Sequence, residues 1–96
     1  MSRETKGVDV SVFEEKHMIS ILTYLDANGP SRKIDLYEAV SSNPRMPDKL
    51  NHLEAIGLVT QNMDMATRST IVTLTPDGEK IAKLFLEIDG CLKAIR

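Results

Sequence analysis

Residues 46–59, Met46-Pro-Asp-Lys-Leu-Asn-His-Leu-Glu-Ala-Ile-Gly-Leu-Val59, decide how this chain reads. Met46, Leu50, Leu53 and Ile56 recur at intervals of four, three and three, which lays one apolar stripe along a short helix. Gly57 stops that helix, because glycine alone enters the left-handed C-terminal position without a steric cost. Leu58 and Val59 start a strand at once. Pro47 belongs in the first turn, since deeper in the helix its ring would clash with the carbonyl four residues back. A helix is therefore expected over about 44–57.

Upstream, Ser41-Ser42-Asn43-Pro44 reads as a turn, and a second helix precedes it from Ser31 to about Val40. Ser31 is its expected N-cap, and Ile34, Tyr37 and Val40 form its stripe with Leu36 alongside. Asn28-Gly29-Pro30 closes a first helix that starts at Val12, with Val12, Ile19, Leu22 and Leu25 apolar and Phe13, Met18 and Ile21 flanking them. Residues 1–9 are polar and without period, and are expected to be a loose tail. Downstream, Leu58 to Met63 reads as a strand with Val59 and Met63 on one face, 64–68 as a loop, and Thr70 to Leu74 as a β-branched return strand. Thr75-Pro76-Asp77-Gly78-Glu79 then opens a last helix reaching about Ala94, with threonine as cap, proline at the first position and acids in the first turn.

Composition narrows the function classes. The 96 residues suffice for one domain. A lone cysteine, Cys91, permits no internal disulfide, and no Cys/His cluster has zinc spacing, so neither metal nor cofactor is expected. No apolar run approaches the ~20 residues of a membrane span, and the N-terminus lacks the apolar core of a signal peptide, which places the chain in the cytoplasm without membrane contact. His17 and His52 lie on separate elements, and no nucleophile stands in a defensible Ser/His/Asp or Cys/His pattern, so an enzyme is not expected.

The order helix, helix, helix, strand, loop, strand, helix gives a mainly α fold with a small β-hairpin (α+β). Three features make it resemble the winged helix-turn-helix transcriptional regulators, the broad MarR-like and ArsR-like group and in particular its minimal, often archaeal members. Leu50-x-x-Leu53-Glu54-x-x-Gly57-Leu58-Val59 matches the end of that family's recognition helix, and Leu74-Thr75-Pro76-Asp77-Gly78 matches its Leu-Thr-x-x-Gly start of the last helix. The separation of the two leaves room for one hairpin. The resemblance covers about residues 12–90, within a winged-helix domain expected over 10–96. It implies a sequence-specific DNA-binding regulator, with the helix over about 44–57 in the major groove and a wing over about 63–69 on the minor groove or backbone. Two departures stand out. Pro47 and Asp48 occupy places where the family often has serine and arginine, and the wing carries one arginine and one aspartate.

With Met46, Leu50 and Leu53 inward, Arg45, Asp48, Lys49 and His52 are expected to face the DNA. Arg45 is the first candidate for a bidentate contact to guanine O6 and N7, and Lys49 is a second base or phosphate contact. Asp48 would either repel phosphates or accept from a cytosine amino group. Arg32 and Lys33, at the start of the second helix, suit a phosphate, and Arg68 sits where a wing tip reaches the groove. Net charge is −2, and residues 31–70 carry five basic and five acidic side chains, so non-specific attraction to DNA is weak. That neutrality keeps open a winged-helix protein-protein interaction module as the alternative.

The last helix carries more apolar surface than a single chain uses. Ile81, Leu84, Ile88, Cys91 and Ile95 recur at 3, 4, 3 and 4, with Phe85 and Leu92 widening the stripe. A period near 3.5 suits a helix-helix seam. Two heptads interrupted by Gly90 are too few for a coiled coil alone, so a homodimer through the first and last helices is expected. No separate ligand domain is evident. A small-molecule effector, if one exists, would sit between the dimer helices and the winged domain.

Overall fold

A computed structural model describes residues 8–95; the expected loose tail over 1–9 falls outside it except for Val8 and Asp9. Within that span a 3-10 turn at Val10–Glu14 leads into helices Met18–Asn28 (α1), Lys33–Ala39 (α2), Met46–Ala55 (α3) and Pro76–Ala94 (α4). The strands are Ser31–Arg32 (β1), Val59–Asp64 (β2) and Ser69–Leu74 (β3), paired antiparallel in the order β1-β3-β2. The fold is a winged helix. Among the described residues no helix is long and apolar enough to cross a membrane.

The stripe of α3 is the centre of the core. Met46, Leu50 and Leu53 are fully buried and pack with Met18, Ile21, Leu22 and Leu25 of α1, Leu36 of α2, Val59 and Val72 of the hairpin, and Ala82 of α4. Asn43 starts α3 by accepting from Arg45 N–H through its side chain at 2.8 Å and from Met46 N–H through its carbonyl at 2.9 Å. Gly57, at φ +88°, ends it. Leu58 N–H then reaches Leu53 O at 3.0 Å and Gly57 N–H reaches Glu54 O at 3.0 Å, the paired bonds of a Schellman stop.

The same point anchors α4. Thr75 Oγ1 donates to Gly57 O at 2.6 Å and accepts from Gly78 N–H at 3.0 Å, while Thr75 N–H donates to Leu58 O at 3.0 Å. Gly78 is buried against Leu58, and a Cβ there would strike the Leu58 carbonyl oxygen. The glycine of Leu-Thr-x-x-Gly is thus required by a close approach of two backbones. β2 and β3 pair in register from Val59↔Leu74 to Asp64↔Ser69 around a turn at 65–68.

The structure corrects five expectations. The first helix does not run unbroken from Val12: Glu15 is extended, His17 sits at φ +71°, and α1 begins at Met18. Its buried residues are Met18, Ile21, Leu22 and Leu25, whereas Ile19 is exposed. Ser31 caps no helix; it pairs with Val72 in β1, its hydroxyl donates to Gly29 O at 2.9 Å, and Arg32 takes the N-cap position without a side-chain capping bond. Leu36 is the buried residue of α2 and Ile34 is exposed, while on the hairpin Met63 has left the core that holds Val59.

Candidate nucleic-acid interface

With Met46, Leu50 and Leu53 fixed inward at about 100° per residue, Asp48, Asn51 and Ala55 turn outward, flanked by Arg45 and His52. All five are exposed. Arg45 stands at the N-cap of α3, at the end from which a recognition helix meets base edges.

Lys49 departs from the expected outward position. It is 6% exposed, and its ammonium donates to Glu15 Oε2 at 3.0 Å. Glu15 comes from the link between the 3-10 turn and α1, and its other oxygen lies 3.6 Å from His52 Nδ1. The hydrogen bond from Lys49 holds the Glu15 carboxyl below its ordinary range; burial opposes it, and the charge of Lys49 and the contact with His52 add smaller effects in the same downward direction. Lys49 therefore ties α3 to the N-terminal segment and leaves Arg45, among the described residues, as the unpaired cation at this end of the helix.

Of the two cations at the start of α2, Arg32 is occupied in a bidentate pair with Asp35, Nε to Oδ2 and Nη2 to Oδ1 both at 3.0 Å, and Lys33 is half-buried. Arg32 remains 52% exposed, so its pairing with Asp35 competes with a phosphate without blocking it.

The wing is built by Asp64. Its carboxylate accepts from Ala66 N–H at 3.2 Å and Thr67 Oγ1 at 2.9 Å, and its carbonyl accepts from Arg68 N–H at 2.7 Å. Arg68 lies at φ +59° and is exposed at the end of this turn. The wing is also fastened to α3. Gln61 of β2 donates through its backbone N–H to Glu54 Oε2 at 3.2 Å, and through Nε2 to Glu54 Oε1 at 2.9 Å and Asn51 Oδ1 at 3.0 Å.

No protein-family profile matches the sequence, and no curated protein matches it. Solved structures do. A MarR-family transcriptional regulator of Porphyromonas gingivalis W83 superposes with a TM-score of 0.75 over 98% of this chain and 100% of its own, at 20% identity. MepR, a transcription regulator of the Staphylococcus aureus multidrug efflux pump MepA, gives a TM-score of 0.72 at 25% identity over 81% of this chain. The chain has the MarR-like winged-helix fold. AbfR, solved in its reduced form bound to DNA, matches the MarR-like winged helix at TM-score 0.65 and 25% identity over 79% of this chain. The MarR-like winged helix spans 59% of the length of the MepR chain and 55% of that of AbfR.

The apolar stripe of α4 in this MarR-like winged helix is split by depth. Gly78 and Ala82 face the body, and Ile81 and Phe85 are half-buried, the Phe85 ring meeting Phe13 edge-on at 4.8 Å. Leu84, Ile88, Cys91, Leu92 and Ile95 are exposed. An open apolar cleft of about 400 Å³ lies beside them, walled by Val10, Phe13, Ile56, Leu84 and Ile88. Three polar residues that matter to the interface went unread in the sequence: Glu15, Asn51 and Gln61. Glu15 meets Lys49 across 34 positions, a separation that leaves no local signal. Asn51 was legible in principle, since it falls opposite the α3 stripe.

Proposed function

We propose that this chain is a sequence-specific DNA-binding transcriptional regulator that acts as a homodimer, with α3 in the major groove and the β2-β3 wing on the minor groove or backbone. The observation that carries the reading is the exposed outer face of α3, with Arg45 at its N-terminal end, locked to a rigid wing that presents Arg68. The likeness to AbfR, whose structure holds DNA, and to MepR supports it. Arg45 reads a base edge; Asp48, Asn51 and His52 line the groove; Arg32, Lys33 and Arg68 meet the backbone. Lys49 contributes by fixing the helix. Pairing through the exposed stripe of α4 and the neighbouring N-terminal segment and α1 sets two recognition helices on half-sites about 34 Å apart. The protein works in the cytoplasm as a non-enzymatic regulator, and an effector, if one acts, occupies the apolar cleft beside α4.

One observation favours the second reading, a protein-interaction module: Asp48 and Glu54 are exposed on α3 while the charge of Lys49 is spent on Glu15. Fluorescence anisotropy with fragments of the gene's own upstream DNA, at ~50 and ~200 mM salt, separates the two. The regulator binds one fragment tightly, with affinity falling steeply as salt rises, and Arg45→Ala costs about 1–3 kcal/mol on that fragment. Weak, equal binding to every fragment at low salt supports the interaction module.

A further inference from the structure

Asn51 lies on the outer face of α3, and its amide is not free to turn. The restraint begins at Glu54, whose ionised carboxylate can only accept. Glu54 takes Gln61 N–H at one oxygen, 3.2 Å, and the Gln61 side-chain amide at the other, 2.9 Å. Because Glu54 has no hydrogen to give, the Gln61 side chain must present its nitrogen. That nitrogen carries a second hydrogen, which points at Asn51 at 3.0 Å, so Asn51 must answer with its oxygen. The polarity runs from one carboxylate through two amides. It leaves Asn51 Nδ2 with two hydrogens that the relay does not use.

The geometry points to Asn51 as a base-reading residue that reads through its amide donor. An unrestrained asparagine pairs with adenine by accepting from N6 and donating to N7. Here Gln61 takes one lone pair of that oxygen and turns it toward the sheet, so the donor is the part of the amide offered to the groove. It suits guanine, which offers acceptors at both N7 and O6, or thymine with O4; adenine offers it N7 alone, beside an N6 amino group that meets it donor to donor, and cytosine N4 only donates. Gln61 and Glu54 are then positioning residues: they touch no base, and they decide which base Asn51 accepts. This inference rests on the proposed placement of α3 in the major groove.

The test is selection of duplexes from a random pool by the full chain, sequenced to give base preference at each position. The wild type enriches a motif with guanine or thymine at the Asn51 position of each half-site. Asn51→Ala flattens that position, a loss of about 5–10-fold in preference, and leaves the others unchanged. Asn51→Asp, which keeps the shape and replaces the donor by an acceptor, moves the position to cytosine. Gln61→Leu frees the amide and moves it to adenine. Asn51 is exposed, so its two variants keep the wild-type melting curve and report on recognition alone. The inference is overturned if Asn51→Ala leaves every position as in the wild type or weakens all sequences alike, or if Gln61→Leu does not move the preference. If the wild type itself enriches nothing, the sequence-specific regulator reading falls and this inference with it, an outcome distinct from the variants' failure.

Discussion

Lys49 shows how far a residue's role depends on a partner the local sequence does not contain. On a helical wheel it borders the outward face, yet it is 6% exposed and held by Glu15. A lysine ammonium in that position needs its counter-ion, because an unpaired buried charge costs far more than a paired one. Glu15→Ala is expected to destabilise the fold by about 1–3 kcal/mol, below the ~3–5 kcal/mol of a fully buried pair because the Glu15 side chain is 43% exposed. Adding Lys49→Met should return part of that loss, as a double-mutant cycle in urea would measure. Acid should act on the same pair. The folded-state pKa of Glu15 is depressed by its hydrogen bond from Lys49. Its stabilisation is therefore complete above the ordinary glutamate range and is lost as pH falls through the depressed value. Melting temperatures across an acid series should fall less steeply in Glu15→Gln than in the wild type.

At the scale of elements, the junction of α3, β2 and α4 is where sequence and structure agree most closely. The two glycines there are needed for different reasons. Gly57 is at φ +88° with open space around the position of a Cβ, so Gly57→Ala carries only the backbone cost, about 1–2 kcal/mol. At Gly78 the hindrance is the Leu58 carbonyl, so Gly78→Ala must push α4 away from β2, and about 1–3 kcal/mol is expected with a shift of the Thr75 cap. Chemical denaturation of the two variants, read beside Thr75→Ala at about 1 kcal/mol, checks this order. These features were legible because each is written in a few adjacent residues. The break at Glu14–His17 was not, because Val12 and Phe13 continue the apolar pattern across it and periodicity does not distinguish a 3-10 turn from the start of an α-helix. β1 was hidden for another reason: its two residues are strand only because Ile71 and Val72 of β3 lie beside them. For the site, Arg45 and Arg68 were readable as exposed cations, whereas the Glu54-Gln61-Asn51 relay joins a helix to a strand across the Gly57 turn, where neither periodicity carries over.

For the whole molecule, the question is what covers the outer side of α4. Ile88 is 52% exposed, Leu92 63% and Ile95 71%, beside an apolar cleft reached by Leu84. Large apolar side chains gathered on one exposed helix face, rather than scattered singly, mark an interaction surface. A second copy placed over this stripe would cover it and bring two copies of α3 onto one duplex. Ile88→Glu should therefore give a monomer by sedimentation while the circular dichroism spectrum stays native, and it should weaken binding to a two-half-site duplex more than to a single half-site. A dimer that persists in Ile88→Glu would move the interface off α4.

The division of α4 also has a consequence in time. Its first turns are clamped by Thr75, Gly78 and Ala82, and Lys83 reaches Asp26 of α1 at 2.9 Å, but from Leu86 to Ala94 every residue is exposed. In a lone chain the amide hydrogens of that far half should exchange with deuterated water close to the rate of a fraying helix end, while those before Phe85 wait for larger openings. Pairing would slow the far half alone. The exchange clock of one helix would then count how many chains have found a partner, at dilutions where no change of mass could be weighed.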